Sequence, residues 1–281
     1  MAEVADPARG GAGRRRDGPD PAGDLTAGTP AAPTPNPREI PMVTTGTGTE
    51  VLRDDGTAGA EVPSTAALWD ASVRLGVPLG VPPVPLRPAA PGMRCTGPLR
   101  RVRHTQGVVS IFEGLDAAVA GEVLLIDNDG RTDEACVGDL VAIEARLAGV
   151  AGLLVWGCHR DTDELAEIGL PVFSLGPCPA SPRQRPRDEA PPAGTPPFEA
   201  RDGDTVVADA DGVLTVPAAA RQGVLATAGG IVRAERIQAD LALRGISLRD
   251  QLGWEQYLAR RREDPGYTFR SHLARVNGAL E

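Results

Sequence analysis

The sequence predicts an α/β fold organised on parallel strands and followed by a helical C-terminal extension. Three observations predict it. Two short apolar runs, residues 124–127 and 153–156, bracket a segment whose apolar residues Leu140, Ile143 and Leu147 recur at helical spacing, which is a βαβ pattern. Two β-branched runs at 205–208 and 213–216 are joined by Asp209-Ala210-Asp211-Gly212, a hairpin signal. From Ala218 onward the pattern is helical.

Taken in order, residues 1–62 are rich in Ala, Gly, Pro, Thr and Asp, lack a sustained apolar period, and read as a disordered tail. Arg14-Arg15-Arg16 has acidic neighbours and reads as a solvated charge cluster. Residues 63–217 form the expected α/β domain and residues 218–281 the helical extension, which is expected to make subunit contacts. Ser64 is placed to cap a helix running through Trp69, Ala71, Val73 and Leu75 to Gly76. The proline-rich stretch that follows reads as an extended connection, with no regular strand before Met93. A strand is expected over 99–104, then a helix over 108–120 carrying Ile111, Phe112, Leu115 and Ala118 inward.

In the central unit, Asn128-Asp129-Gly130 reads as a turn closing the first strand, Gly138-Asp139 as the helix start, and Gly149 as its stop. The second strand ends at Gly157, a short helix begins at Asp161, a further strand spans 171–175, and residues 176–195 form a long surface loop. Gly229-Gly230 and Gly245 are expected to divide the C-terminal helices, with Ser247 capping a helix that contains Leu252, Trp254, Tyr257 and Leu258. Trp254, Tyr257 and Phe269 read as packing residues.

A right-handed crossover brings the N-terminus of the central helix and the loop after the second strand to one sheet edge. Asp139 and Arg160-Asp161 are therefore expected to meet there, where open α/β sheets bind their ligands. Two carboxylates, a guanidinium and the N–H groups of a helix start suit a metal together with an anionic substrate.

Composition narrows the chemistry. A net charge of -9 and a pI near 5.0 argue against general nucleic-acid binding. No apolar run approaches the length of a membrane span, and no signal-peptide pattern occurs near the N-terminus, so a cytoplasmic protein is expected. Four cysteines form no C-x-x-C pair and three histidines are scattered, so zinc and dithiol motifs are absent. All 29 Lys-or-Arg positions are arginine. Without lysine there is no Schiff-base aldolase chemistry, and carbon–carbon cleavage must use a metal or another cofactor as electron sink. No glycine-rich loop with a following acidic ribose ligand supports a methyltransferase.

Asp139, twenty intervening residues, Arg160-Asp161 and then Glu164 resemble the D-x20-R-D signature of the RraA-like class II pyruvate aldolases, the 4-hydroxy-4-methyl-2-oxoglutarate aldolase group. The resemblance extends through GRTDEACVGDL, GCHRDTDEL, LPVFSLG and VVADADGVLTVP. It implies an RraA-like fold related to swivelling β/β/α domains, assembled as a homotrimer or homohexamer with sites between subunits. It further implies Asp161 as main ligand of a divalent cation (Mg²⁺, Mn²⁺ or Co²⁺). Arg160 binds the carboxylate or keto oxygen of a 2-oxo acid and stabilises the enolate, and Asp139 holds a water that takes the C4 hydroxyl proton. The backbone N–H groups at Gly138, Asp139 and Leu140 are expected to hold the substrate carboxylate. Glu164 orients water or supports Arg160, and Glu235 is the candidate for an acidic group from an adjacent subunit.

Taken singly, an Asp at a helix start is usually a cap and an Arg-Asp dipeptide a solvated ion pair. The expected function is a metal-dependent lyase that releases pyruvate by retro-aldol cleavage of a 4-hydroxy-2-oxo acid, with oxaloacetate decarboxylation through the same enolate. The alternative is a non-catalytic regulator that binds a ribonuclease or RNA helicase, since the fold also includes the inhibitor RraA.

Overall fold

A computed structural model describes residues 62–105, 107–182 and 190–276. The expected tail at 1–62, with Arg14-Arg15-Arg16, lies outside the described residues except for Val62. Helix α1 (Thr65–Leu75) is capped by Ser64, whose hydroxyl accepts from the Ala67 N–H, and ends at Gly76. Strands β1 (Arg87–Pro88) and β2 (Cys95–Arg103) follow, then α2 (Val108–Asp116), β3 (Val123–Val137), α3 (Asp139–Leu147) and β4 (Gly152–His159). The domain continues with α4 (Thr162–Ile168), β5 (Val172–Ser174), β6 (Thr205–Asp209) and β7 (Gly212–Val216). After a 3-10 turn come α5 (Arg221–Leu243), α6 (Leu248–Gln251), α7 (Trp254–Glu263) and α8 (Phe269–Val276).

One seven-stranded sheet has the order β1-β5-β4-β3-β2-β6-β7. Its centre, β5-β4-β3-β2, is parallel; β1 and the β6–β7 hairpin pair antiparallel at the two sides. The two edges approach each other, and Arg87 Nη1 donates to the Asp211 carbonyl at 3.1 Å. Both faces are covered, which is why the central strands read as continuous apolar runs. Leu124, Ile126, Leu153 and Val155 pack beneath α2, α3 and α4, whereas Val123, Leu125, Leu154 and Trp156 face a second core with Phe173 and Phe198. A third core joins α1 and α5 to Val207, Leu214 and Val216 of the hairpin. The fold is the predicted α/β architecture with its helical C-terminal part.

Several local expectations are corrected. Helix α3 buries Ala142 and Ala145, while Leu140 and Leu147 are 72% and 75% exposed and Ile143 is also exposed. Ala142 and Ala145, with Val141 partly buried beside them, make the contact of α3 with the core, and the side bearing Leu140, Ile143 and Leu147 is left outside. Phe112 of α2 is likewise exposed rather than inward. Asp129 and Gly130 both have positive φ, as a type I′ turn requires, but the chain does not leave the sheet there. Strand β3 continues to Val137 through register shifts between Asp127, Arg131, Ala135 and Val137, so the turn residues form an outward fold within one long strand.

A strand does occur before Met93: β1 is two residues long and lies at the sheet edge, where Pro88 is tolerated. Gly229-Gly230 does not divide α5, which runs unbroken for 23 residues because Ala228 and Ile231 on either side are buried. The helix expected through Leu252 and Trp254 breaks instead at Gly253, whose φ of 62° is left-handed. The described part of the loop over 176–195 contains neither helix nor strand, apart from a single bridge at Pro177.

The start of α1 is tied to the hairpin by one buried carboxylate. Asp209 Oδ2 accepts from the Thr65 N–H at 2.9 Å and its Oδ1 from the Thr65 hydroxyl at 2.7 Å. Asp209→Ala is expected to lower unfolding free energy by roughly 3 kcal/mol, because two buried donors lose their acceptor. A urea titration showing a midpoint shift at unchanged slope checks this.

Candidate active site at the β3–β4 edge

The site is built where β4 turns into α4. Arg160 is held to the end of β3 by its N–H on the Val137 carbonyl at 2.9 Å. Asp161 follows with φ 58° and ψ 47°, one of two non-glycine residues in the left-handed region among the described residues. That conformation costs about 1–2 kcal/mol for a residue with a Cβ. Asp161 sits at the N-cap position of α4, yet its side chain makes no capping bond. It turns back instead: Oδ2 accepts from the Asp139 N–H at 3.3 Å and lies 3.3 Å from Arg160 Nε.

Gly138 makes this approach feasible. A Cβ built there would run into Asp161 Oδ2 and stand 3.2 Å from Arg160 Cγ and Nε. The structure therefore brings together Gly138, Asp139, Leu140, Arg160 and Asp161, five of the residues singled out in the sequence. Two of the three expected carboxylate-binding N–H groups are engaged within the site: Asp139 N–H on Asp161, and Leu140 N–H on Asp139 Oδ1 at 2.7 Å. A substrate carboxylate at α3 would have to displace these acceptors.

Glu164 is exposed on the first turn of α4 and stands outside this hydrogen-bonded group. Glu235 is exposed on α5, whose buried side packs on α1 and the β6–β7 hairpin, so a single chain does not bring it to the edge.

Two residues of the site were missed in the sequence. Ser181 accepts from Arg160 Nη1 at 2.7 Å. It arrives there because residues 176–180 are stitched along the ends of β3 and β4: His159 N–H to Gly176 O at 3.1 Å, Cys178 N–H to His159 O at 2.7 Å, and Ala135 N–H to Ala180 O at 2.8 Å. No local pattern in that proline-rich loop announces it. His159, beside the Arg-Asp pair, is buried between Ser174 Oγ at 2.6 Å from Nδ1 and Thr162 Oγ1 at 3.1 Å from Nε2. Burial holds its pKa below 6.5, while Asp161 pulls in the opposite direction. A second buried polar group lies nearby under the fold of β3, where His104 Nδ1 is 3.0 Å from Asn128 Oδ1 and Asn128 Nδ2 donates to Glu134 at 3.4 Å.

Among the described residues, no group of three or more His, Cys, Asp or Glu is placed to hold a metal ion. The edge thus offers no closed cage. Asp161, with Asp139 beside it and solvent on one side, fits an ion that takes one or two carboxylates and keeps several waters, as Mg²⁺ does. Softer, cage-forming ions do not fit this donor set.

The family model RraA-like, described as Aldolase/RraA, matches residues 65–215. The chain belongs to the RraA-like family. A relative from Halalkalibacterium halodurans named "Putative 4-hydroxy-4-methyl-2-oxoglutarate aldolase" is 28% identical over 169 residues, which cover 59% of this chain and 78% of the relative. One of the same name from Burkholderia mallei (strain SAVP1) is 36% identical over 141 residues, covering 46% and 83%. Among solved structures, an uncharacterized protein from Pseudomonas syringae pv. tomato str. DC3000 superposes with a TM-score of 0.57 at 29% identity, over 67% of this chain and 92% of that one. Streptomyces coelicolor RraAS2, an RraA family member, shares the fold at a TM-score of 0.51 and 23% identity, over 62% and 90% of the two chains. Among the described residues of this RraA-like chain, no helix is long and apolar enough to cross a membrane.

The state of His159 is checkable by pH. The folded protein keeps the ring neutral, whereas the unfolded chain takes up a proton below pH 6.5. Stability is therefore expected to be fully present above pH 6.5 and to fall as pH drops toward the lowered folded value. In His159→Gln, denaturant titrations across pH 7.5 to about 5 should lose this component of the decline.

Proposed function

We propose that this RraA-like protein is a divalent-metal-dependent lyase that cleaves a 4-hydroxy-2-oxo acid of the 4-hydroxy-4-methyl-2-oxoglutarate type to pyruvate, and decarboxylates oxaloacetate through the same enolate. The observation that carries the reading is the side chain of Asp161, withheld from capping its own helix and brought to Asp139 and Arg160. The names of the relatives from Halalkalibacterium halodurans and Burkholderia mallei support the reaction class.

Asp161 is the group that would hold the cation, with Asp139 holding a water beside it. When bound, a divalent cation polarises the 2-oxo group and lowers the cost of enolate charge. Arg160 is already oriented by Ser181 and Asp161, so its guanidinium meets the substrate carboxylate or keto oxygen without reorganising. Asp139 takes the C4 hydroxyl proton through a water that it positions. The C3–C4 bond then breaks, C4 becomes a carbonyl, and the electron pair passes into the enolate, which is protonated at C3 to give pyruvate. Oxaloacetate loses carbon dioxide to the same enolate.

The assembly follows from the same reading. The family resemblance that offers Glu235 as an acidic group from an adjacent subunit also implies a homotrimer or a pair of trimers, and both are part of this proposal.

Pyruvate release from both substrates, with Mg²⁺ or Mn²⁺ and with chelator, tests the proposal. Asp161→Ala and chelation are expected to abolish release. Arg160→Lys should lower kcat/KM about 100-fold, since one ammonium does not replace the guanidinium fork. Gly138→Ala, which pushes Asp161 aside, should cost activity with the circular dichroism spectrum unchanged. Release no greater than that of metal alone overturns the reading.

A further inference from the structure

The four cysteines are all free, and they differ in what can reach them. Cys95 packs against Gly152 in the second core, and burial pushes its thiol up to about 12. Cys136 is buried in the core beneath α2, α3 and α4. Cys158 is 4% exposed on β4, whereas Cys178, in the segment that crosses the strand ends, is partly open to solvent.

Backbone geometry sets the last two together. His159 and Pro177 pair as in a parallel sheet: the His159 N–H donates to the Gly176 carbonyl at 3.1 Å and the Cys178 N–H to the His159 carbonyl at 2.7 Å. Paired residues point to one face and their neighbours to the other, so Cys158 and Cys178 share a face. The two backbones run there at strand spacing, about 4.8 Å. Two residues on, the Ala180 carbonyl accepts from the Ala135 N–H at 2.8 Å, and Ala135 is the β3 partner of Cys158. The chain therefore passes across β4 between Cys178 and Ala180. His159 occupies the other face, with its ring on Thr162 of α4, so the crossing takes the side of Cys158. Pro177 and Pro179 stiffen the backbone on each side of Cys178. The two thiols also sense each other: burial first, then Cys178 and Asp133, raise the Cys158 thiol above its ordinary value.

We propose that Cys178 and Cys158 form a reversible disulfide, with a hydroperoxide as the oxidant. The thiolate of Cys178 attacks the peroxide O–O bond; its sulfur takes one oxygen and is oxidised to the sulfenic acid, and the other oxygen, reduced, leaves as hydroxide. Cys158 then attacks the sulfenic sulfur. The S–S bond forms as the S–O bond breaks, and the proton of the Cys158 thiol leaves with that oxygen as water. In sum, two thiols and hydrogen peroxide give one disulfide and two waters, and a dithiol reductant reverses the change. Exposure assigns the roles: Cys178 meets the oxidant, and the shielded Cys158 resolves it. The bond fastens the crossing segment to β4, and with it Ser181, which accepts from Arg160 Nη1 at 2.7 Å. The modification uses no step of the lyase reaction, so it stands or falls apart from that reading.

The full-length chain, fully reduced, is treated with hydrogen peroxide, blocked with an alkylating agent and digested. The oxidised protein should lose the mass of two hydrogens and yield a peptide pair linked through Cys158 and Cys178, which dithiothreitol separates. Cys178→Ser should leave the three remaining thiols free, because the oxidant does not reach Cys158. Cys158→Ala should leave Cys178 as a sulfenic acid that dimedone captures. Hydrogen exchange at the Cys178 and Ala135 amides, the two donors that hold the crossing, should slow about tenfold when the unsubstituted protein is oxidised. Absence of the disulfide, its survival in either variant, or a linkage to Cys95, to Cys136 or between copies overturns the proposal. So does Cys178 passing to sulfinic acid while Cys158 stays free, or amide exchange indifferent to oxidation.

Discussion

The bond from the Asp139 N–H to the Asp161 carboxylate is the contact on which the arrangement of this site depends. It exists because Asp161 adopts a left-handed backbone conformation that aims its side chain away from α4 and back toward α3. Gly138 leaves room for that side chain, and Arg160 closes the group from the other side. A residue that simply capped α4 would sit in extended backbone and give its carboxylate to the helix. Here the helix start goes without its side-chain cap, and the carboxylate is left at the sheet edge. Strain of this kind persists where the surroundings over-determine it, and His159, bonded to both Ser174 and Thr162, supplies part of that constraint.

The sheet beneath the site holds the edge in place. Four parallel strands covered on both faces give a core in which Leu124, Ile126, Leu153 and Val155 serve one side, and Leu125, Leu154 and Trp156 the other. The ends of β3 and β4 are therefore fixed by packing through their whole length. Residues 176–181 then cross those ends on backbone hydrogen bonds and deliver Ser181 to Arg160. A loop with no secondary structure of its own becomes part of the site because it borrows the strand ends as its frame.

The same covering creates the exposed surface. Helix α3 meets the β3–β4 layer through Ala142 and Ala145, which contribute little area, and its larger residues face solvent. A helix with leucines on its free side and alanines on its buried side is well suited to lie between its own sheet and another surface.

The sequence by itself determined the βαβ unit, the hairpin, the Ser64 and Ser247 caps and the convergence of Asp139 with Arg160-Asp161. These rest on local periodicity, turn chemistry and crossover geometry, which act over a few residues or follow from chain handedness. It also excluded Schiff-base chemistry through the absence of lysine. Only the tertiary structure decided that Leu140, Ile143 and Leu147 lie outside. An apolar stripe and a stripe of alanines on one helix are both candidates for burial, and the way the helix is set on the sheet chooses between them. It alone kept Asp129-Gly130 inside a long strand and carried α5 through two glycines, since pairing and packing with distant residues override local breaking tendencies. Ser181 and His159 entered the site for the same reason: their partners are brought to them by the fold, and no spacing along the chain records that.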